Sequence, residues 1–202
     1  MNGILGHIAD LYETDPIACG GMLADAAREL RTLGARAPKA EMPSRLPVCR
    51  YLGTTIAGAR QGALAAIAGS FAAYEPQAMW RQNPNYTREA IGAEFLRNYG
   101  YVELVGRKRP WASDRIAVGF LMLGPGAHYP AHSHPAAEVY HVVSGVAEWR
   151  QGDEALTTRP VGAAIYHAPN VVHETRVLGE PLLALYCWTG DIAVAAQLSA
   201  VS

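Results

Sequence analysis

Between Gly126 and Gly145 the chain gathers imidazoles, a carboxylate and a phenol: His128, His132, His134, Glu138, Tyr140 and His141. His132 and His134 stand two residues apart, so on a strand both side chains leave the same face. Glu138 lies four further on, an even spacing that returns to that face if the pleat continues or a tight turn intervenes. Imidazoles and a carboxylate converging from one sheet make a site for one borderline divalent metal, Zn, Fe, Mn, Co or Ni. His173, a hairpin or more away, is a further candidate ligand. Five of the seven histidines fall between His128 and His167, and a sixth is His173. Such clustering points to a metalloenzyme rather than to scattered structural histidines.

Strands must position these groups, and turn signals separate several of them. Ile116 to Leu123 is an apolar run closed by Gly124-Pro125-Gly126. Val139 to Val143 ends at Ser144-Gly145, and Val146 to Arg150 follows. Ala155 to Thr158, Ala163 to His167, Val172 to Val177 and Leu182 to Trp188 complete the series. Short, evenly spaced strands predict a closed barrel or jelly roll.

Residues 1–100 read as a helical extension and 101–202 as the barrel. Leu5, Ile8, Leu11 and Tyr12 recur at helical spacing, as do Met22, Leu23, Ala26, Leu30 and Leu33. Gly20-Gly21 separates the two segments. Arg36 to Pro47 reads as a linker, and a third helix is expected over Ala57 to Ala73. Thr87 can cap a fourth helix that runs to about Asn98, with Gly100 suited to its end.

Composition excludes several classes. The 202 residues are half apolar, enough for a sizeable core, and carry a net charge of -1. No basic field attracts nucleic acid, and the Arg28, Arg31, Arg36 group is too sparse for a recognition helix. No apolar run reaches membrane-span length, and the first residues lack the pattern of a signal peptide. Cys19, Cys49 and Cys187 are scattered without a CxxC pair, which fits a reducing compartment, so a cytoplasmic location is expected.

Gly126, His132, His134, Glu138 and Gly145 match the first cupin motif at every position. Gly162, Pro169 and His173 follow the second motif with one extra residue before the proline and without the glycine after it. The chain therefore resembles a cupin, which implies a mostly β, double-stranded β-helix (jelly-roll) barrel. Tyr129-Pro130-x-His132-x-His134-Pro135 and Glu138-x-Tyr140, with the helical extension, resemble more closely the cupin dimethylsulfoniopropionate (DMSP) lyases of the DddQ and DddL kind. Those enzymes cleave DMSP to dimethyl sulfide and acrylate. The lyase resemblance implies metal ligation by His134, Glu138 and His173, a base at Tyr140, and pocket positions at Tyr129 and His132. The general cupin pattern instead makes His132 a ligand, so both roles stay open for it. A homodimer is a further expectation, since cupins often pair through a sheet.

DMSP joins a carboxylate to a sulfonium. A divalent metal can hold the carboxylate and stabilise enolate-like charge, and a nearby cation favours the phenolate of Tyr140. Aromatic faces suit the sulfonium, and Tyr129, Tyr166, Tyr186 and Trp188 are the candidates. Trp80, Tyr86 and Tyr99 are candidates for a lid. His141 follows Tyr140 and should face away from it; His128, His167 and His7 read as bystanders. The alternatives are another cupin metalloenzyme, such as an iron dioxygenase or an isomerase, or a ligand-binding cupin sensor. An isomerase of sugar phosphates needs lumen-facing cations, whereas Arg150, Arg159 and Arg176 read as outward or turn residues.

Overall fold

The computed structural model describes residues 3–17, 19–59 and 64–199. Helices α1 (Ile4–Thr14) and α2 (Met22–Gly34) each bury one stripe: Ile4, Leu5, Ile8, Ala9 and Tyr12 in the first, Met22, Leu23, Ala26, Ala27, Leu30 and Leu33 in the second. Gly20 and Gly21 link them at φ of 62° and 82°, left-handed values that glycine adopts without steric cost.

The expected helix over Ala57 to Ala73 is instead two, α3 (Leu52–Ala59) and α4 (Ala65–Tyr74); residues 60–63 lie outside the described residues. The fourth predicted helix is also divided, into α5 (Arg88–Ile91) and α6 (Ala93–Arg97). Gly92 sits between them at φ 86° and ψ 148°, which breaks the helical path. Thr87 does cap α5, its side chain accepting from the Ala90 N–H. Gly100 does not terminate α6; it lies inside the first strand.

The strands are β1 (Tyr99–Gly106), β2 (Trp111–Ala112), β3 (Ile116–Leu123), β4 (His128–Ser133), β5 (Ala137–Ser144), β6 (Ala147–Gln151), β7 (Thr157–Arg159), β8 (Ala164–His167), β9 (His173–Val177), β10 (Leu182–Thr189) and β11 (Gln197–Leu198). They form a six-stranded sheet, β2-β1-β3-β10-β5-β8, and a five-stranded sheet, β11-β4-β9-β6-β7. Apart from the parallel β1–β2 pair, neighbours run antiparallel. This is a double-stranded β-helix, the cupin barrel.

Side-chain alternation sorts the six-stranded sheet into two cores. Val102, Phe120, Met122, Val139, Val143, Leu185 and Cys187 face outward and join the apolar stripes of α1, α2 and α4 in one cluster. Leu121, Tyr140, Val142, Ala184 and Tyr186 face inward and fill the lumen with Tyr129 and Trp149 from the other sheet. The helices α1, α2 and α4 therefore brace the outer face of this sheet. Trp80 belongs to that outer layer, donating to Glu75 at 3.0 Å, and is no lid. Tyr86 and Tyr99 sit in the inner cluster.

Candidate functional site

The two sheets bring the predicted residues together at one end of the lumen. His132 on β4 pairs in register with His173 on β9, and Glu138 on β5 lies between Trp188 on β10 and His167 on β8. His134 follows the end of β4, where Asn170 donates its N–H to the His134 carbonyl at 2.8 Å. The five-stranded sheet and its adjoining turn thus contribute the imidazoles, and the six-stranded sheet contributes the carboxylate.

His134, Glu138 and His173 form a compact buried cluster, each offering a ligand atom within 4.8 Å of the others. His134 Nε2 lies 3.1 Å and His173 Nε2 3.4 Å from Glu138 Oε2. The opposite ring nitrogens are all engaged. His134 Nδ1 is 3.0 Å from the Ala136 carbonyl, His173 Nδ1 2.9 Å from that of Val171, and His132 Nδ1 2.8 Å from that of Pro130. A carbonyl only accepts, so each Nδ1 carries a hydrogen, and the opposite atom of each ring, Nε2, is the one left to meet a carboxylate or a cation. Backbone carbonyls holding imidazoles this way are the usual outer support of a metal site. His173 Nε2 is buried and has no hydrogen-bond partner among the described residues, as a ligand atom kept for a cation would be. The donor set, two imidazoles and a carboxylate, fits a borderline divalent ion.

Burial works to raise the Glu138 carboxyl, but His134 and His173 prevail and hold it well below the usual carboxylate range. His132 is pushed well below its ordinary value by burial and by His173. It is not a member of the compact cluster. Its ring stacks on Tyr129 at 3.9 Å and 7° and stands 4.1 Å from His173.

A cavity of about 250 Å³ reaches the cluster at Glu138 and is lined also by Tyr140, Trp188, Tyr129 and Tyr99 among others. Tyr140 shares the lumen face with Glu138, two residues along β5. Burial, then the charge of Glu138, holds its phenol well above the ordinary value. Trp188 donates its indole N–H to Glu138 Oε1 at 2.5 Å and stacks on His134 at 4.0 Å. The Tyr129 hydroxyl meets that of Tyr86 at 2.9 Å.

Tyr166 is the pocket candidate that the structure moves elsewhere. It pairs with Val139, and the two face outward against the helical layer, because the odd-numbered residues of β5 leave the lumen. His141 faces outward too, as expected, and its Nε2 meets Asp15 at 2.8 Å. His128 is exposed at the start of β4, near Glu174, and His7 contacts Ser70.

Three features escaped the sequence reading. His167 is buried, stacks on His173 at 4.1 Å and is lowered to about 3 by burial and by His173. Glu103 and Arg109 line the cavity wall. The spacing Tyr99-x-Tyr101-x-Glu103 is the period-two signal that marks the lumen face of β1, whereas Arg109 lies in a basic turn that resembles any solvated one. The third feature is the segment from Ile192 to Ala196, which lines the mouth. Asn83 and Asn85 both donate to the Ala196 carbonyl, and β11 then pairs with β4 at His132.

Fold and cluster together define a cupin whose lumen ends on two imidazoles and a carboxylate. The dimethylsulfoniopropionate lyase family model matches residues 23–184, and the chain belongs to that family. It is 33% identical over 137 residues to the dimethylsulfoniopropionate lyase DddQ of Ruegeria pomeroyi, covering 68% of this chain and 67% of that one. The crystal structure of DMSP lyase DddQ from the same species superposes with a TM-score of 0.77 at 26% identity, over 97% of this chain and 94% of that one. A structure from work on the DMSP lyases RdDddP and RnDddQII shares the fold, with a TM-score of 0.78 at 24% identity over 97% and 95%. No helix among the described residues is long and apolar enough to cross a membrane.

Proposed function

We propose that this chain is a metal-dependent carbon–sulfur lyase that cleaves DMSP to dimethyl sulfide and acrylate by β-elimination. The observation that carries the reading is the Glu138 carboxylate met by the Nε2 atoms of His134 and His173, with Tyr140 on the same face of β5 beside the cavity. Family membership supports the substrate.

In this reading His134, Glu138 and His173 hold one divalent ion, and His132 braces His173 and the pocket. A divalent ion bound there supplies Lewis acidity toward the substrate carboxylate and the carbon beside it. The charge of a bound cation would offset the burial and the Glu138 charge that keep the Tyr140 phenol protonated, and Tyr140, as phenolate, takes the proton from that carbon. The released electron pair forms the new C=C bond of acrylate, the C–S bond breaks, and dimethyl sulfide leaves with its electrons. Tyr140 then returns its proton to solvent. Trp188 fixes the Glu138 carboxylate, and the buried aromatic wall excludes water from the elimination. Residues 101–202 carry the chemistry; residues 1–100 brace the barrel and lend Asn83 and Tyr99 to the pocket wall.

The test is headspace dimethyl sulfide after DMSP is added to the purified protein, run as prepared, after chelation, and after restoring single metals. Release that chelation abolishes and one metal restores supports the reading. No release with any metal overturns it.

A further inference from the structure

A transverse row of residues crosses the six-stranded sheet on its lumen face. Glu103 on β1 pairs with Gly119 on β3, Gly119 with Tyr186 on β10, and Tyr186 with Tyr140 on β5. Three strand spacings separate Glu103 from Tyr140, about 14 Å along the sheet. Glu103 thus stands on the cavity wall across from the Glu138 cluster.

The local chain places its carboxylate deliberately. Register shifts between Glu103 and Val105, so that Leu104 and Val105 both face the helices and the lumen-facing run ends at Glu103. Gly119 leaves the space beside it empty. A Cβ there would lie 2.0 Å from the Val102 carbonyl oxygen and 2.8 Å from the Tyr186 hydroxyl. Through that gap Tyr186 donates its hydroxyl to Glu103 Oε2 at 3.2 Å, while Arg109 Nε donates to Oε1 at 2.6 Å. Glu103 and Arg109 are both largely buried, with side chains 18% and 22% exposed. Tyr101, two residues before Glu103 on β1, and Tyr186 meet each other edge to face, ring centroids 6.5 Å apart.

A carboxylate beside aromatic rings on a cavity wall recognises a fixed cation without hydrogen-bond donors, such as a sulfonium or quaternary ammonium. We propose that Glu103, with Tyr101 and Tyr186 beside it on the cavity wall, is the onium subsite of this cavity and selects substrates whose positive charge lies opposite the carboxylate held at the Glu138 cluster. Arg109 is the resident counter-ion: it keeps Glu103 in place, and the substrate cation competes with it. The inference rests on the lyase reading for the substrate's orientation, but its test does not require turnover.

The experiment is calorimetric titration of the metal-loaded protein with two isosteric carboxylates. One is 3-(trimethylammonio)propanoate, an onium with a poor leaving group; the other is 4,4-dimethylpentanoate, its uncharged counterpart. The native protein is expected to bind the onium about tenfold tighter or more. Glu103→Gln should collapse that preference while leaving the dissociation constant of 4,4-dimethylpentanoate within about twofold. Arg109→Gln should raise the preference, because it frees the carboxylate; a loss of packing alone would weaken both ligands together. No preference in the native protein, or a preference unchanged by Glu103→Gln, overturns the subsite. If Glu103→Gln does not fold, as judged by its melting curve, an unchanged preference in Arg109→Gln overturns it. Dimethyl sulfide release by the native protein, measured in parallel, separates the two claims. A preference without release keeps the subsite and removes the lyase reading; release without a preference does the reverse.

Discussion

The indole of Trp188 donates to Glu138 across the β5–β10 pair, at 2.5 Å from Oε1. The other carboxylate oxygen faces His134 and His173. One oxygen is thus pinned by a neutral donor so that its partner points at the imidazoles. Trp188→Phe keeps a ring on His134 and removes only the donor. Support of this kind is worth about 10–100-fold in metal affinity. The expected outcome is a drop of about that size in a metal titration, with little change in the thermal midpoint of the metal-free protein. An affinity equal to that of the native protein would show that the bond to Glu138 is idle.

Tyr140→Phe separates proton transfer from metal binding. Removing a positioned base costs about 10²–10⁴ in rate. The variant should take up the ion as the native protein does and lose dimethyl sulfide release by at least the lower figure. His134→Ala should lose both. Equal turnover in Tyr140→Phe would move the base to another group on the cavity wall.

His141 provides a dependence on pH that lies outside the site. Burial lowers it, and the bond to Asp15 offsets part of that. A histidine lowered in the folded protein binds fewer protons than in the unfolded chain. Its contribution is complete above the unfolded value of about 6.5 and is lost as pH falls below that toward the folded value. The loss is at most about 1.4 kcal/mol per pH unit within that window. Urea unfolding at pH 7.5 and 5.5 should therefore show a smaller difference for His141→Asn than for the native protein. A difference of equal size in both would assign the pH effect elsewhere.

Gly145 gives the last position of the first cupin motif a physical reason. It sits at φ 83°, and a Cβ would lie 2.3 Å from the Pro181 carbonyl oxygen. Left-handed strain costs about 1–2 kcal/mol and the clash adds to it. Gly145→Ala should lower stability by about 2 kcal/mol or more in denaturant unfolding. A loss below half of that would mean that the Pro181 strand end yields freely.

Much of the barrel was legible because its strands are short apolar runs bounded by glycine and proline; Ile116–Leu123 appears with the predicted ends. Two members of the compact cluster were legible through the first cupin motif, which holds His134 and Glu138, but not through the pleat: His134 follows the end of β4, and Glu138 lies on β5 in the other sheet. β1 was not recognised, since Tyr99 to Gly106 follows a helix directly and carries Gly100 in its interior. That glycine is needed where Leu46 and Val48 press on the strand: a Cβ would lie 2.9 Å from Leu46 Cδ1. Missing β1 hid Glu103. Tyr166 was misplaced because an aromatic residue next to a histidine looks like a pocket wall until the register of β8 on β5 fixes its face. The segment Ile192 to Ala196 carries no periodicity; its bonds to Asn83 and Asn85, and the pairing of β11 with β4, bring it to the mouth.

The strand order has a consequence for how copies of this chain meet. The outermost strands are the short ones: β2 has 2 residues and β8 has 4 in one sheet, β11 has 2 and β7 has 3 in the other. Edges this short offer few unpaired backbone groups to an incoming strand, the usual protection against ribbon-like aggregation. Barrels blunted in this way are poor templates for one another's growth, since the long strands β3, β5 and β10 lie inside the sheet with both edges already paired.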